Sequence, residues 1–200
     1  MGWQIKKKLV YLTMYERLCK KGEIIMNETI HTLLTRRSIR KYKPEQIKDE
    51  ELNQILEAGK YAPTGKSMQP VTIVVIQNKD LIARLSAMNA KIMGVESDPF
   101  YGAPTVCIIF GDTHISPVNA WSDGCLVLGN MMNAAAALGI GSCWINRARE
   151  EFESPEGKEL LKQWGLPEHL VGIGHCILGY AASYPHSVKP RKEDFVKFIR

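Results

Sequence analysis

One stretch limits the fold more than any other: SPVNAWSDGCLVLGNMMNAAAALGI, Ser116 to Ile140. Ser116-Pro117 supplies an N-cap with a first-turn proline and Gly139 supplies a stop, so the pattern predicts one long helix over 117–138. Its apolar residues lie nearly all round the helix, and it is rich in Gly and Ala. Such a helix belongs at the centre of a structure, with other elements packed closely on several sides. Asn130 and Asn133 interrupt the run, which is too short to span a bilayer.

The elements available to cover it are short. Asn27 or Thr29 can cap a helix carrying Ile30, Leu33 and Leu34 on one face, and residues 49–61 place Leu52, Ile55, Leu56 and Tyr61 near helical spacing. Asp80 to Met93 also reads as helix, and Ser154-Pro155-Glu156 opens another. The runs VTIVVI (71–76), TVCIIFGD and VGIGHCILGY read as buried strands, with SCWIN as a shorter one. Pro99, Gly102 and Pro104 mark a loop between them. Helices and strands alternate loosely, without repeats or internal linkers, which predicts a single α+β domain.

A net charge of +5 suggests a nucleic-acid partner until it is located. Six basic residues (Lys6, Lys7, Lys8, Arg17, Lys20, Lys21) against Glu16 and Glu23 hold four of those charges within residues 1–25, leaving residues 26–200 near neutral. Nucleic-acid binding therefore has little support. The codons for KKGEIIM (20–26) can hold a bacterial ribosome-binding sequence ahead of an ATG, so Met26 is the expected native start and 1–25 a translated, dispensable leader. The stretch LVYLTMY after the three lysines has no cleavage site and is not a secretion signal. Cys19, Cys107, Cys125, Cys143 and Cys176 form no C-x-x-C pair and no zinc spacing with His, which fits reduced, mostly buried thiols in a cytoplasmic protein and no metal site. Scattered histidines read as structural groups.

Gly65-Lys66-Ser67 spells the end of a phosphate-binding loop, but position 60 is Lys, and the order is helix, loop, strand instead of strand, loop, helix. A nucleoside triphosphatase is excluded. Three other segments remain. TRRSIRKY sets Arg36, Arg37, Ser38 and Arg40 beside a helix end, a donor set suited to a phosphate dianion or, alternatively, a solvated charge run. GIGSCWIN (139–146) follows a helix and lacks a third glycine, so it is no Rossmann fingerprint. It is either a helix stop entering a strand, or a place where Gly141 and Ser142 let backbone approach a flat ring. Lys189, Arg191 and Lys192 make the tail basic.

Together, in order and spacing over about 175 residues, TRRSIRKY, AGKYAPTGKSMQP, YGAPTVCIIFGD, DGCLVLGNMMNAAAALGIGSCWIN, and ILGY with PRK resemble the FMN-dependent nitroreductases. The resemblance implies a central, mostly antiparallel sheet flanked by helices in an intertwined homodimer, with FMN at the interface and helix 117–138 as the main interface helix. It implies that Arg36, Arg37, Ser38 and Arg40 hold the flavin's phosphate, ribityl chain and pyrimidine edge, joined at the phosphate by Lys189 and Arg191. By the same resemblance, Pro63, Thr64, Gly65, Ser67 and Gln69 would belong to a loop lent by the partner chain. It further implies that Trp144, Ile145, Asn146 and Arg147 lie over the ring, one backbone N–H facing flavin N5, with no side chain required as catalytic acid or base. The family commonly has Asn where this chain has Ser67 and an aromatic where it has Val71. The implied activity is NAD(P)H-dependent reduction of nitroaromatics, quinones or similar electron-poor acceptors by a ping-pong mechanism. The alternatives are a flavin store without turnover, a ferredoxin-linked enzyme, or a specialised dehydrogenase.

Overall fold

The run TVCIIFG becomes strand β2, Thr105–Gly111, buried at every residue. Its side chains alternate between two cores: Val106, Ile108 and Phe110 enter one, Cys107 and Ile109 the other. A strand covered on both faces carries a continuous apolar run, which is why no polar alternation marks it.

The computed structural model describes residues 27–185, 187 and 189–200. The expected leader, residues 1–25, and Cys19 lie outside the described residues. Residues 32–184 form one compact unit, while the described residues before 32 and after 184 belong to a second. In that second unit a 3-10 turn covers Glu193–Phe195.

The helices are α1 Glu28–Thr35, α2 Asp49–Lys60, α3 Lys79–Met93, α4 Ala120–Ala137, α5 Ala148–Glu153 and α6 Pro155–Gln163. With β2, the strands β1 Val71–Ile76, β3 Gly141–Ile145 and β4 Val171–Gly179 form a sheet in the order β1-β2-β4-β3. All three pairings are antiparallel. On one face Leu85, Phe152, Leu160 and Leu161, from α3, α5 and α6, close a core around Phe100, Ile108 and Phe110. On the other, Leu52 and Ile55 of α2 and Val127, Leu128 and Met131 of α4 pack on Cys107, Ile109, Ile173 and Cys176. Burial pushes the Cys107 thiol up to about 12, and Cys176 is raised the same way, so neither is a ready nucleophile.

The central helix begins three residues later than 117. Asp112 Oδ1 accepts the N–H groups of His114 and Ile115 at 2.8 and 3.1 Å, and the Ser116 N–H donates to the Asp112 carbonyl at 3.0 Å. These bonds hold 112–119 in turns, so Ser116-Pro117 does not cap the helix; Asn119 precedes it instead. Gly139, at φ 74°, ends it as the sequence predicts. One face of α4 lies on the sheet and α2, whereas Trp121 and Leu126 are exposed. Ser154 does cap α6, accepting the Gly157 N–H at 3.1 Å. The short helix α5 has no counterpart in the sequence reading.

Candidate functional site

The arginine-rich segment does not hang in solvent. Ser38 bridges Ser142 in parallel, the Ile39 N–H donates to the Ser142 carbonyl at 2.9 Å, and Tyr42 bridges Ala181. Residues 38–42 are thereby laid along the outer side of β3 and the end of β4. The ladder joins two segments that are about a hundred residues apart in sequence: the guanidinium cluster and the strand read as GIGSCWIN.

Arg36 and Arg37 then line a pocket of about 270 Å³ with Thr35, Ile39, Ala136, Gly139 and Ile140. Arg37 Nη1 donates to the carbonyls of Leu34 and Arg36, both at 2.7 Å, so part of this guanidinium closes the end of α1. Ser38 is half-buried and Arg40 exposed. Tyr42, next along, is raised well above the ordinary phenol range, first by burial and then by the neighbouring Cys143 and Cys176, and its hydroxyl donates to the Ile39 carbonyl at 2.8 Å. It stays a neutral hydrogen-bond donor.

At the far end of β3, Ile145 is buried and Asn146 exposed. Arg147 sits in the left-handed region at φ 78°, where the chain breaks from strand into α5. For a non-glycine residue that conformation costs about 1 kcal/mol or more and is tolerated where its surroundings enforce it. Trp144 turns its indole into the core beneath the sheet, where the buried Nε1 has no hydrogen-bond partner among the described residues.

Residues 63–69 are the other segment that the sequence singles out. Gly65–Ser67 is a 3-10 turn, with Lys66, Ser67 and Gln69 at φ 53°, 56° and 50°. Three left-handed non-glycine residues among four require anchors. Both carboxylate oxygens of Asp123 accept the Gly65 N–H, at 3.1 and 3.2 Å, and Thr64 Oγ1 accepts the Gln69 N–H at 3.2 Å. Gly65 packs closely on Asn119, since a Cβ there would stand 2.3 Å from Asn119 Nδ2 and would force it to shift. Asp123 and Asn119 are thus positioning residues that the sequence reading missed. The available signal was a carboxylate inside an otherwise apolar helix, which must find donors when buried. Asn130 interrupts the same helix for a similar reason: its side chain donates to the Ala58 carbonyl at 3.1 Å.

Thr64 and Gln69 line a different pocket, about 500 Å³, with Leu56, Gly59, Val71, Ile73 and Val127. It shares no lining residue with the pocket at Arg36. Within residues 32–184 the structure therefore joins Arg36–Arg40 to residues 139–147, and it does not bring 63–69 to them. Pro63, Ser67 and Gln69 are exposed. Lys189 and Arg191 are exposed residues of the second unit. Among the described residues no group of three or more His, Cys, Asp or Glu is placed to hold a metal ion, and no helix is long and apolar enough to cross a membrane.

The nitroreductase family model matches residues 33–98 and 90–180. A protein of Archaeoglobus fulgidus whose name couples NADH dehydrogenase with NAD(P)H nitroreductase is 33% identical over 158 residues, 78% of this chain and 86% of its own. A Vibrio harveyi NADPH-flavin oxidoreductase is 30% identical over 178 residues, 83% of this chain and 70% of its own. Among solved structures, the FMN-bound nitroreductase of Bacteroides fragilis is 29% identical and superposes with a TM-score of 0.78 over 88% of this chain and all of the other.

Proposed function

This chain belongs to the nitroreductase family, and we propose that it is an FMN-dependent oxidoreductase that uses NAD(P)H to reduce quinones, nitroaromatics or similar electron-poor acceptors. The observation that carries the reading is the Ser38–Ser142 bridge. It lays the segment that carries Arg36, Ser38 and Arg40 beside β3, the strand that leads into Asn146 and Arg147. An anionic phosphate and a flat ring, at opposite ends of one cofactor, would then meet guanidiniums at one end and strand backbone at the other.

The residues present fit FMN. Arg36 lines a pocket without a carboxylate, the donor set a phosphate takes. When bound, FMN supplies the redox chemistry, taking a hydride from the nicotinamide and passing reducing equivalents to the acceptor. The protein binds and orients. Arg36 would hold the phosphate, Ser38 and Arg40 the polar edge of the ring, and the segment from Ile145 to Arg147 would lie at its reactive edge, with the N–H groups of Asn146 and Arg147 as donors. A positive charge and fixed N–H dipoles stabilise negative charge developing on a ring.

The separation of the two pockets supports a homodimer in which 63–69 of each chain completes the partner's site. The exposed Trp121 and Leu126 on α4 supply an apolar face for that contact. Lys189 and Arg191 carry the same phosphate chemistry as Arg36. The unpaired thiols Cys107, Cys125, Cys143 and Cys176 fit a cytoplasmic enzyme.

Steady-state oxidation of NADH or NADPH at several fixed quinone concentrations tests the reading. Parallel double-reciprocal lines are expected, because one site serves donor and acceptor in turn. Oxidation of neither nicotinamide, with reduction by a reduced ferredoxin instead, would move the protein to a ferredoxin-linked role. Flavin binding without electron transfer to any acceptor would make it a flavin store or a specialised dehydrogenase.

A further inference from the structure

Directly behind the segment 145–147 lies a polar cluster that the proposed reaction does not use. Asn89 of α3, Glu151 of α5 and His175 of β4 are all fully buried. His175 Nε2 lies 3.1 Å from Glu151 Oε2, and its Nδ1 lies 3.3 Å from the carbonyl oxygen of Ile145. Asn89 Nδ2 donates to Glu151 Oε1 and, at 2.7 Å, to the carbonyl oxygen of Asn146. Two carbonyls of the site segment, on adjacent residues, are each held by a side chain, and Glu151 links those side chains.

A carbonyl only accepts, so for both ring contacts to be hydrogen bonds His175 Nδ1 carries one proton and a second lies between Nε2 and the carboxyl of Glu151. The pair holds two protons and is net neutral whether the second resides on the ring or the carboxyl. Asn89 likewise has no choice of orientation, because both of its neighbours are acceptors. Its amide NH₂ serves both, leaving Oδ1 buried with no partner among the described residues. An unpaired buried oxygen costs about 1–3 kcal/mol, so the arrangement is not one that stability alone selects.

The scaffold around the cluster allows little play. Helix α5 is pressed onto β4 at Gly172, where a Cβ would stand 2.2 Å from the Ala148 carbonyl oxygen. The His175 ring packs against Phe100, with centroids 5.1 Å apart. Phe100 is set in turn by Asp98, which accepts the N–H groups of Phe100 and Gly102 at 2.8 and 2.6 Å.

We infer that Asn89, Glu151 and His175 are positioning residues that lock the Ile145 and Asn146 carbonyls, and thereby aim the peptide N–H groups of Asn146 and Arg147 outward at the cofactor. The part concerning the cofactor rests on the functional reading above; the locking of the two carbonyls does not. Because the pair is neutral and works through its hydrogen-bond pattern, Glu151→Gln should preserve it. A glutamine can accept from Asn89 and donate to an unprotonated Nε2, while Nδ1–H still serves Ile145.

The test uses the FMN-loaded and FMN-free protein with Glu151→Gln, Glu151→Leu and Asn89→Ala. Amide NMR, FMN titration and the single-turnover rate of flavin reduction by NAD(P)H are compared. Glu151→Leu and Asn89→Ala are expected to shift the Asn146 and Arg147 amide signals even without FMN. They should slow reduction by about 10-fold or more, the scale of a small misplacement of reacting groups, while FMN affinity changes only a few-fold. Glu151→Gln should stay near wild type in all three. If Glu151→Gln is as damaging as Glu151→Leu, or if the 146–147 amides do not move in Glu151→Leu and Asn89→Ala, the inference is overturned. Wild-type protein gives a test that requires no variant to fold: His175 Nδ1 must be protonated, with a through-bond coupling to the Ile145 carbonyl, and an unprotonated Nδ1 overturns the inference. Wild type that shows this coupling but binds no FMN would instead refute the functional reading.

Discussion

Replacing Gly65 by alanine tests how the loop 63–69 is held. The new Cβ would sit 2.3 Å from Asn119 Nδ2, 2.9 Å from its Cγ and 3.1 Å from its Cβ. Ordinary carbon contacts lie near 3.5–4.0 Å, so the overlap at Nδ2 exceeds about 1 Å. Rotating the Asn119 amide away relieves only the outermost clash, because its Cβ is also too close. Either the start of α4 or the loop must shift, and a shift of the loop lengthens the bond from the Gly65 N–H to the buried Asp123 carboxylate. Overpacking of this kind costs about 1–3 kcal/mol, which for a chain of this length lowers the melting temperature by roughly 2–4 °C per kcal/mol. Thermal melting of FMN-free protein measures the first effect and FMN titration the second. Both should worsen in Gly65→Ala, and Asn119→Ala in the same chain, which removes the Nδ2 and Cγ contacts but keeps the one to Cβ, should restore part of the loss. An unchanged melting temperature, or a double variant no better than the single, would refute the reasoning.

Other outcomes follow from the same geometry. Arg36→Ala should weaken FMN binding by about 10- to 150-fold, equivalent to one charge-assisted contact of roughly 1.5–3 kcal/mol, without lowering the melting temperature of FMN-free protein; equal affinity would return Arg36 to a solvated surface. Ser67→Asn should raise the melting temperature slightly, since asparagine accepts the left-handed conformation at φ 56° more readily than serine; a fall would show that the Ser67 hydroxyl has a role the loop geometry does not reveal. Burial raises the Asp112 carboxyl, but the Ile115 N–H, the His169 ring and the His114 N–H outweigh it and hold the group below the usual carboxylate range. A carboxyl depressed on folding contributes stability that is present above its unfolded value of about 3.9 and is lost as pH falls through the lower folded value. Asp112→Asn should therefore flatten the acid limb of a stability–pH curve below about pH 4, and an unaltered limb would contradict this.

What could be read in advance, and what could not, divides along a physical line. Strand β1 was legible residue for residue because VTIVVI is β-branched between polar breaks. Gly139 marked the end of α4 because a left-handed C′ position calls for glycine. The start of α4 was misread because Ser116-Pro117 has cap chemistry, while the Asp112 side chain, four residues earlier, binds the N–H groups that decide the matter. Helix α5 escaped because AREEFE is too short for a period to register. The strained loop was hidden because Lys66, Ser67 and Gln69 are not residues that advertise positive φ. TRRSIRKY and GIGSCWIN were each visible, but the sequence could not show that they lie side by side, as the bridge between Ser38 and Ser142 does. The buried cluster could not be read at all: Glu151 meets Asn89 across 62 residues and His175 across 24.

The central claim, that this fold holds FMN and turns it over, is tested most directly by anaerobic stopped-flow mixing of FMN-loaded protein with NADH or NADPH, followed by a quinone. Loss of flavin absorbance at about 450 nm is expected with at least one nicotinamide, with its full return on adding the quinone in a second, separate phase. Protein that retains no FMN, or whose bound FMN stays oxidised with both nicotinamides, would contradict it.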